Sequence, residues 1–118
     1  MRHWFSITYD HVDAMHMEGF LAGLTSDVEV FFGNNPALQG LDAVRDGIGG
    51  FWSAINGLTH HFENIVEQGA ITVMEAKVEY RRKDDRSVRI PCVTVLERSG
   101  DKIRSLRIYS DMAPVFAA

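Results

Sequence analysis

Residues 71–80 read Ile71-Thr72-Val73-Met74-Glu75-Ala76-Lys77-Val78-Glu79-Tyr80, and their alternation decides the fold class. Thr72, Met74, Ala76, Val78 and Tyr80 form one set without a charge, and Ile71, Val73, Glu75, Lys77 and Glu79 form the other. A period of two marks a half-buried strand, so the uncharged set faces the core. The same test on 88–96 turns Val88, Ile90, Cys92, Thr94 and Leu96 inward, against Arg89, Pro91, Val93 and Val95. Upstream, His60 to Val66 splits less cleanly, with His60, Phe62, Asn64 and Val66 as the inward set. Downstream, Ile103 to Ser110 places Leu106, Ile108 and Ser110 inward, opposite Arg107, Tyr109 and Asp111. Glu67-Gln68-Gly69, Arg81 to Arg86 and Arg98 to Asp101 separate these four strands. Gaps so short and polar make consecutive antiparallel hairpins, because a parallel return needs a dozen or more connecting residues.

The preceding half reads as helices. From Ser6 to Leu24 the apolar residues Ile7, Val12, Met15, Phe20, Leu21 and Leu24 follow one helix face, with Ser6 as N-cap. Gly19 and Gly23 favour two short helices meeting near His16 as much as one long one. Val28 to Phe32 is a short strand, and Gly33-Asn34-Asn35-Pro36 supplies turn chemistry. A second helical pattern runs from Leu41 to Ile55 through Val44, Ile48, Phe51 and Trp52. Gly47, Gly49 and Gly50 match no phosphate-loop motif and predict a kinked helix packed closely on the sheet. Helices followed by a meander give the α+β class, in one domain spanning residues 1–118.

Composition narrows the function classes. The 118 residues carry a formal net charge of -4, which argues against a nucleic-acid or anionic-membrane surface. The mixed-sign run Arg81 to Arg86 reads as a solvated hairpin tip. Cys92 is the only cysteine, so neither an intrachain disulfide nor a thiolate metal cage is expected. No apolar run approaches the ~20 residues of a membrane span, and residues 1–6 lack the apolar stretch of a signal peptide. The expectation is a cytoplasmic domain without a cofactor. No metal site is expected either: His60 and His61 point to opposite faces of a strand, and His11 and His16, five apart, make a poor helical pair.

The ordered motifs resemble a known family. Phe31-Phe32-Gly33-Asn34-Asn35-Pro36 with Gly40, then Gly57-Leu58-Thr59-His60, Glu75 with Val78 and Tyr80, Ile90-Pro91, and Lys102-Ile103 with Arg107 to Asp111 are similar to the nuclear transport factor 2-like, SnoaL-like superfamily. The resemblance covers nearly the whole chain. It implies a cone-shaped domain in which helices close a bent sheet around a pocket, usually paired into homodimers through the sheet. It also implies relatives as different as ketosteroid isomerases, limonene epoxide hydrolases and polyketide cyclases, so fold alone does not set function.

The chain departs from each of those chemistries. Thr8, Val30 and the neighbourhood of Cys92 stand where a ketosteroid isomerase carries its Tyr and two Asp. Ala76, Val78 and Ile108 stand where the epoxide hydrolases carry Arg and two Asp, Phe32 replaces their Tyr, and only Asn34 survives. The acid of the cyclases falls at Ile108, unless Asp111 takes that place.

What remains is an apolar pocket with two catalytic candidates. Histidine titrates near neutral pH and the family pattern places one at His60. The sequence assigns it no carboxylate partner, so a structural or ligand-orienting role stands beside the catalytic one. Asn34 either binds a ligand or water at the pocket mouth or only builds the turn. Val12, Phe20, Phe32, Trp52, Ala76, Val78, Tyr80, Cys92, Ile108 and Ser110 are the candidate ligand-binding residues. Cys92 reads as an inert buried thiol rather than a nucleophile. Two functions follow: binding of a small apolar or aromatic molecule with isomerase-like or cyclase-like proton transfer at His60, or a non-catalytic homodimeric module whose cavity its own aromatic residues fill. Ile71, Val73, Val93, Val95 and Tyr109 would form the dimer face, with Arg107 and Asp111 there as interface groups or an ion pair.

Overall fold

The computed structural model describes residues 2–117. Two short helices, α1 (Ser6–Asp13) and α2 (Met17–Ala22), lead into β1 (Leu24–Phe32) and a brief β2 (Leu38–Gln39). Helix α3 (Gly40–Ser53) then crosses to β3 (Gly57–Gln68), followed by β4 (Ile71–Arg81), β5 (Ser87–Ser99), β6 (Lys102–Tyr109) and a last turn of helix, α4 (Ala113–Phe116). The six strands form one sheet in the order β2-β1-β6-β5-β4-β3. The meander β3 to β6 is antiparallel throughout, as the short gaps dictate. β1 joins the sheet by pairing with β6 in parallel, with β2 outside it on the edge, and the connection through α3 carries the chain to β3 at the opposite edge.

Alternation holds along β4 and β5. Thr72, Met74, Ala76, Val78 and Tyr80 are all buried, and so are Ile90, Cys92, Thr94 and Leu96. On β3 the inward set is corrected beyond Phe62. A bulge between Phe62 and Asn64 shifts the register, so Asn64 pairs with Glu75 and Val66 with Val73, both on the outer face. One extra residue reverses the phase of everything after it, and Ile65 takes the inward place opposite Met74.

Two further expectations change. Ser6 is the first helical residue rather than the N-cap, which is Phe5, and the Ser6 hydroxyl accepts the His3 amide at 2.8 Å. β1 begins at Leu24 rather than Val28. Helix α3 runs unbroken through its glycines. The close approach is specific to Gly47, where a Cβ would lie 2.5 Å from the Leu38 side chain, so glycine lets β2 lie against the helix.

The break between α1 and α2 follows from backbone geometry. Met15 adopts φ 52°, the His16 amide donates to the His11 carbonyl at 2.9 Å, and the Met15 amide donates to Val12 at 2.9 Å. This is a Schellman termination, with Met15 in the left-handed position that glycine usually takes. It turns the chain so that α2 returns across α1 and both cover the inner face of the sheet.

Candidate active site

The end of α1 meets the middle of β3. Asp13 closes α1, and its carboxylate takes two hydrogen bonds from one residue: the His60 ring at Nδ1 (2.6 Å) and the His60 backbone amide (3.1 Å). A carboxylate only accepts, so Nδ1 carries a proton, and in the neutral ring Nε2 keeps the lone pair. The His60 side chain is 10% exposed and that of Asp13 30%. The edge of Tyr9 abuts the imidazole (ring centroids 5.0 Å, planes at 88°), and Phe62 stacks beside it at 5.7 Å. The backbone contact fixes the position of the carboxylate and the aromatic rings fix the plane of the imidazole. The pair is therefore held in one geometry.

His60 faces a narrow chamber of about 50 Å³ lined by Tyr9, Val12, Phe20, Phe32, Trp52, Tyr80, Cys92, Thr94 and Ile108, among others. Phe32, Ile48 and Phe51 also border a wider cavity of about 620 Å³ under the Gly33 to Leu38 turn, reached past Asn34, Ser110, Asp111 and Phe116. The two spaces share that aromatic partition. Phe51 stands at its centre, against Phe32 (5.2 Å), Tyr80 (5.9 Å) and Phe116 (6.2 Å). Arg82 ties down α4, which carries Phe116, by donating to the carbonyls of Pro114 (2.9 Å) and Ala117.

Among the described residues, no carboxylate, lysine or arginine lines the inner chamber. Burial, first, and then the neighbouring Cys92 push the Tyr9 phenol far above the ordinary tyrosine range, although a hydrogen bond with Thr94 opposes them. Burial does the same to Tyr80. Both remain proton donors at any physiological pH. An apolar chamber with one basic nitrogen and two neutral phenols can take a proton from a ligand and stabilise the negative charge left on its oxygen.

Of the residues singled out from the sequence, Val12, Phe20, Phe32, Trp52, Tyr80, Cys92 and Ile108 line the inner chamber with His60. Ser110 and Asn34 lie on the wider cavity. The Ser110 hydroxyl donates to the Pro91 carbonyl at 2.8 Å. Asn35, not Asn34, makes the hydrogen bonds that close the turn onto Phe32. Ala76 and Val78 are core residues beneath the chamber and border neither space. The Asp111 carboxylate accepts the Ala113 amide (3.0 Å) just before α4, and Arg107 donates to Ser105 (2.9 Å), so the two are not paired with each other. The sequence marks neither Asp13 nor Tyr9 as a site residue, because a helix pattern shows its apolar face and not which polar residue closes it, and it marks Thr94 only as an inward strand residue.

Burial also raises the Cys92 pKa, despite a hydrogen bond with Thr94 (3.7 Å between Sγ and Oγ1) that favours the thiolate. At pH 8 the folded protein therefore holds less thiolate than a free cysteine. With the side chain also out of reach of reagent, dithionitrobenzoate should react at least ~100-fold more slowly with native than with urea-unfolded protein. Equal rates would show an open, reactive thiol.

The model of the family described as SnoaL-like domain matches residues 7–106. The chain belongs to the SnoaL-like domain family. No curated protein matches the sequence. Solved structures similar to this SnoaL-like domain include an NTF2-like protein of unknown function from Burkholderia pseudomallei (18% identity, TM-score 0.88, covering 98% of this chain and 95% of that one). TerC co-crystallised with polyporic acid is also similar (16%, TM-score 0.83, 94% and 91%). So is an LEH-like epoxide hydrolase from Mycobacterium tuberculosis (15%, TM-score 0.79, 96% and 84%). At such identities the likeness establishes the NTF2-like α+β fold for this SnoaL-like domain. Among its described residues no helix is long and apolar enough to cross a membrane.

Proposed function

We propose that this SnoaL-like domain binds a small, largely apolar or aromatic molecule and moves a proton on it, with the Nε2 of His60 as the base. The Asp13–His60 pair carries this reading. A carboxylate that grips both the ring and the backbone of one histidine, on the wall of an apolar chamber, holds that ring in one tautomer and one orientation. Tyr9 and Tyr80 supply neutral donors to the oxygen that gains charge. The reaction class that fits is abstraction of a proton beside a carbonyl, as in an isomerisation or ring closure. Asn34 orients the ligand at the mouth, and Phe32 or Phe51 swings aside to admit it. The test uses a nitrobenzisoxazole, whose ring opens with colour when a base takes its carbon-bound proton and the N–O bond breaks. The wild-type protein should accelerate this saturably. A rate no greater than that of free imidazole at equal concentration would overturn the proposal.

The second reading, a non-catalytic module with a self-filled cavity, has its own observation. Phe20 packs on Trp52 at 5.7 Å and Phe51 on Tyr80, leaving only about 50 Å³ beside His60. It predicts no acceleration of the probe reaction.

Both readings include a homodimer through the outer sheet face. Val66, displaced outward by the bulge, extends the expected patch into a row with Val73 and Val95 across three strands. Val66 is 62% exposed and Tyr109 54%. Val73→Glu buries a charge in that interface, so size-exclusion chromatography at micromolar concentration should show a wild-type dimer and a variant monomer. A wild-type monomer would remove the dimer from the proposal.

A further inference from the structure

The Schellman turn between α1 and α2 does more than end a helix. It brings the third residue from the helix end next to the second residue beyond the capping Ala14, a contact usually made by two apolar side chains. Here those positions are His11 and His16. Their Nδ1 atoms lie 3.0 Å apart, with ring centroids at 5.0 Å and planes inclined by 58°. The α2 helix makes room for the pair, since a Cβ on Gly19 would fall 2.2 Å from Nδ1 of His11. Histidines five apart on a continuous helix would diverge. The left-handed Met15 is what makes them converge.

We propose that His11 and His16 form a two-nitrogen site for a divalent transition ion, Cu(II) or Ni(II). Bonds as long as those zinc makes to imidazole, about 2.0–2.1 Å, put two nitrogens about 2.8–3.0 Å apart at a right angle and about 3.3–3.4 Å apart at a tetrahedral one. The observed spacing fits the right angle, and tetragonal coordination by nitrogen and oxygen is the preference of Cu(II) and Ni(II). Nearby carboxylates do not complete the set: Arg45 engages Glu18 and Arg2 engages Asp10. Water fills the remaining positions. Both imidazoles bind as neutral rings with the proton on Nε2, so acid releases the ion. The proposal is independent of the proton-transfer reading, because neither histidine borders the chamber that holds His60.

The test titrates Cu(II) into the full chain in a His3→Ala background, which removes the histidine nearest the chain start. At copper about a hundredfold above its dissociation constant, the Tm should rise by several degrees. Electron paramagnetic resonance should show coupling to two imidazole nitrogens. His11→Ala or His16→Ala should abolish the Tm shift and leave at most one nitrogen. His16→Gln, which keeps a hydrogen-bonding side chain against His11, should behave like His16→Ala. Metal-free melts of each variant close to the parent establish that they fold. If the pair only shares a proton, copper produces neither signal. If copper goes to His60 or His61, the signals persist in His11→Ala and His16→Ala. Either result overturns the proposal.

Discussion

His60→Gln is expected to lower the rate of benzisoxazole opening by about 10²–10⁴-fold, the usual contribution of a positioned general base. Glutamine keeps the shape and can still bond to Asp13, so the cavity stays closed and only the basic nitrogen is lost. Asp13→Asn tests the other half of the pair. It leaves a neutral acceptor for Nδ1 and removes the charge that favours the imidazolium formed as the proton arrives. Hydrogen bonds to charged groups contribute about 1.5–3 kcal/mol, which is roughly 10–150-fold in rate at 1.36 kcal/mol per tenfold. Because Asp13 does not line the inner chamber, the loss should fall on kcat and leave KM nearly unchanged. Asp13→Glu should recover part of it. A His60→Gln protein as active as wild type would place the chemistry elsewhere.

Phe5→Ala is expected to be the most damaging single truncation for stability. Phe5 is 1% exposed, and the rings of His3, Trp4, Tyr9 and Phe62 surround it at centroid distances of 5.2 to 5.9 Å. Removing a buried phenyl group costs about 3–5 kcal/mol, a large share of the 5–15 kcal/mol that holds a domain folded. In a chain of this size that lowers the Tm by about 10–20 °C. The control lies two residues along. Ile7 is 69% exposed, so Ile7→Ala should change stability by less than about 0.5 kcal/mol. If the two variants melt together, α1 is not anchored as described. Phe5 also supports Tyr9, so its loss should weaken the probe reaction by loosening the helix that carries Asp13.

The meander was legible because β4 and β5 alternate strictly, from Thr72 to Tyr80 and from Val88 to Leu96, and because polar gaps punctuate them. Alternation is a local property, and its reading failed where one residue broke the phase, at the bulge that sent Asn64 and Val66 outward. The parallel pairing of β1 with β6 leaves no local trace at all. Neither does Asp13: it lies 47 residues before His60 in the chain, and only the packing of α1 across β3 joins them. Helical spacing sets His11 and His16 apart, and the left-handed Met15 that brings their rings together belongs to a residue type that rarely adopts that conformation.

The seam between β1 and β6 joins residues 24–32 to residues 102–109. Val30 and Phe32 on one side, with Leu106 and Ile108 on the other, are also walls of the chamber that holds His60. A contact closed over so long a stretch of chain forms late, after the hairpins between have ordered. Chamber and seam are then completed in a single event, so an intermediate with the whole meander in place would still be unable to hold a ligand.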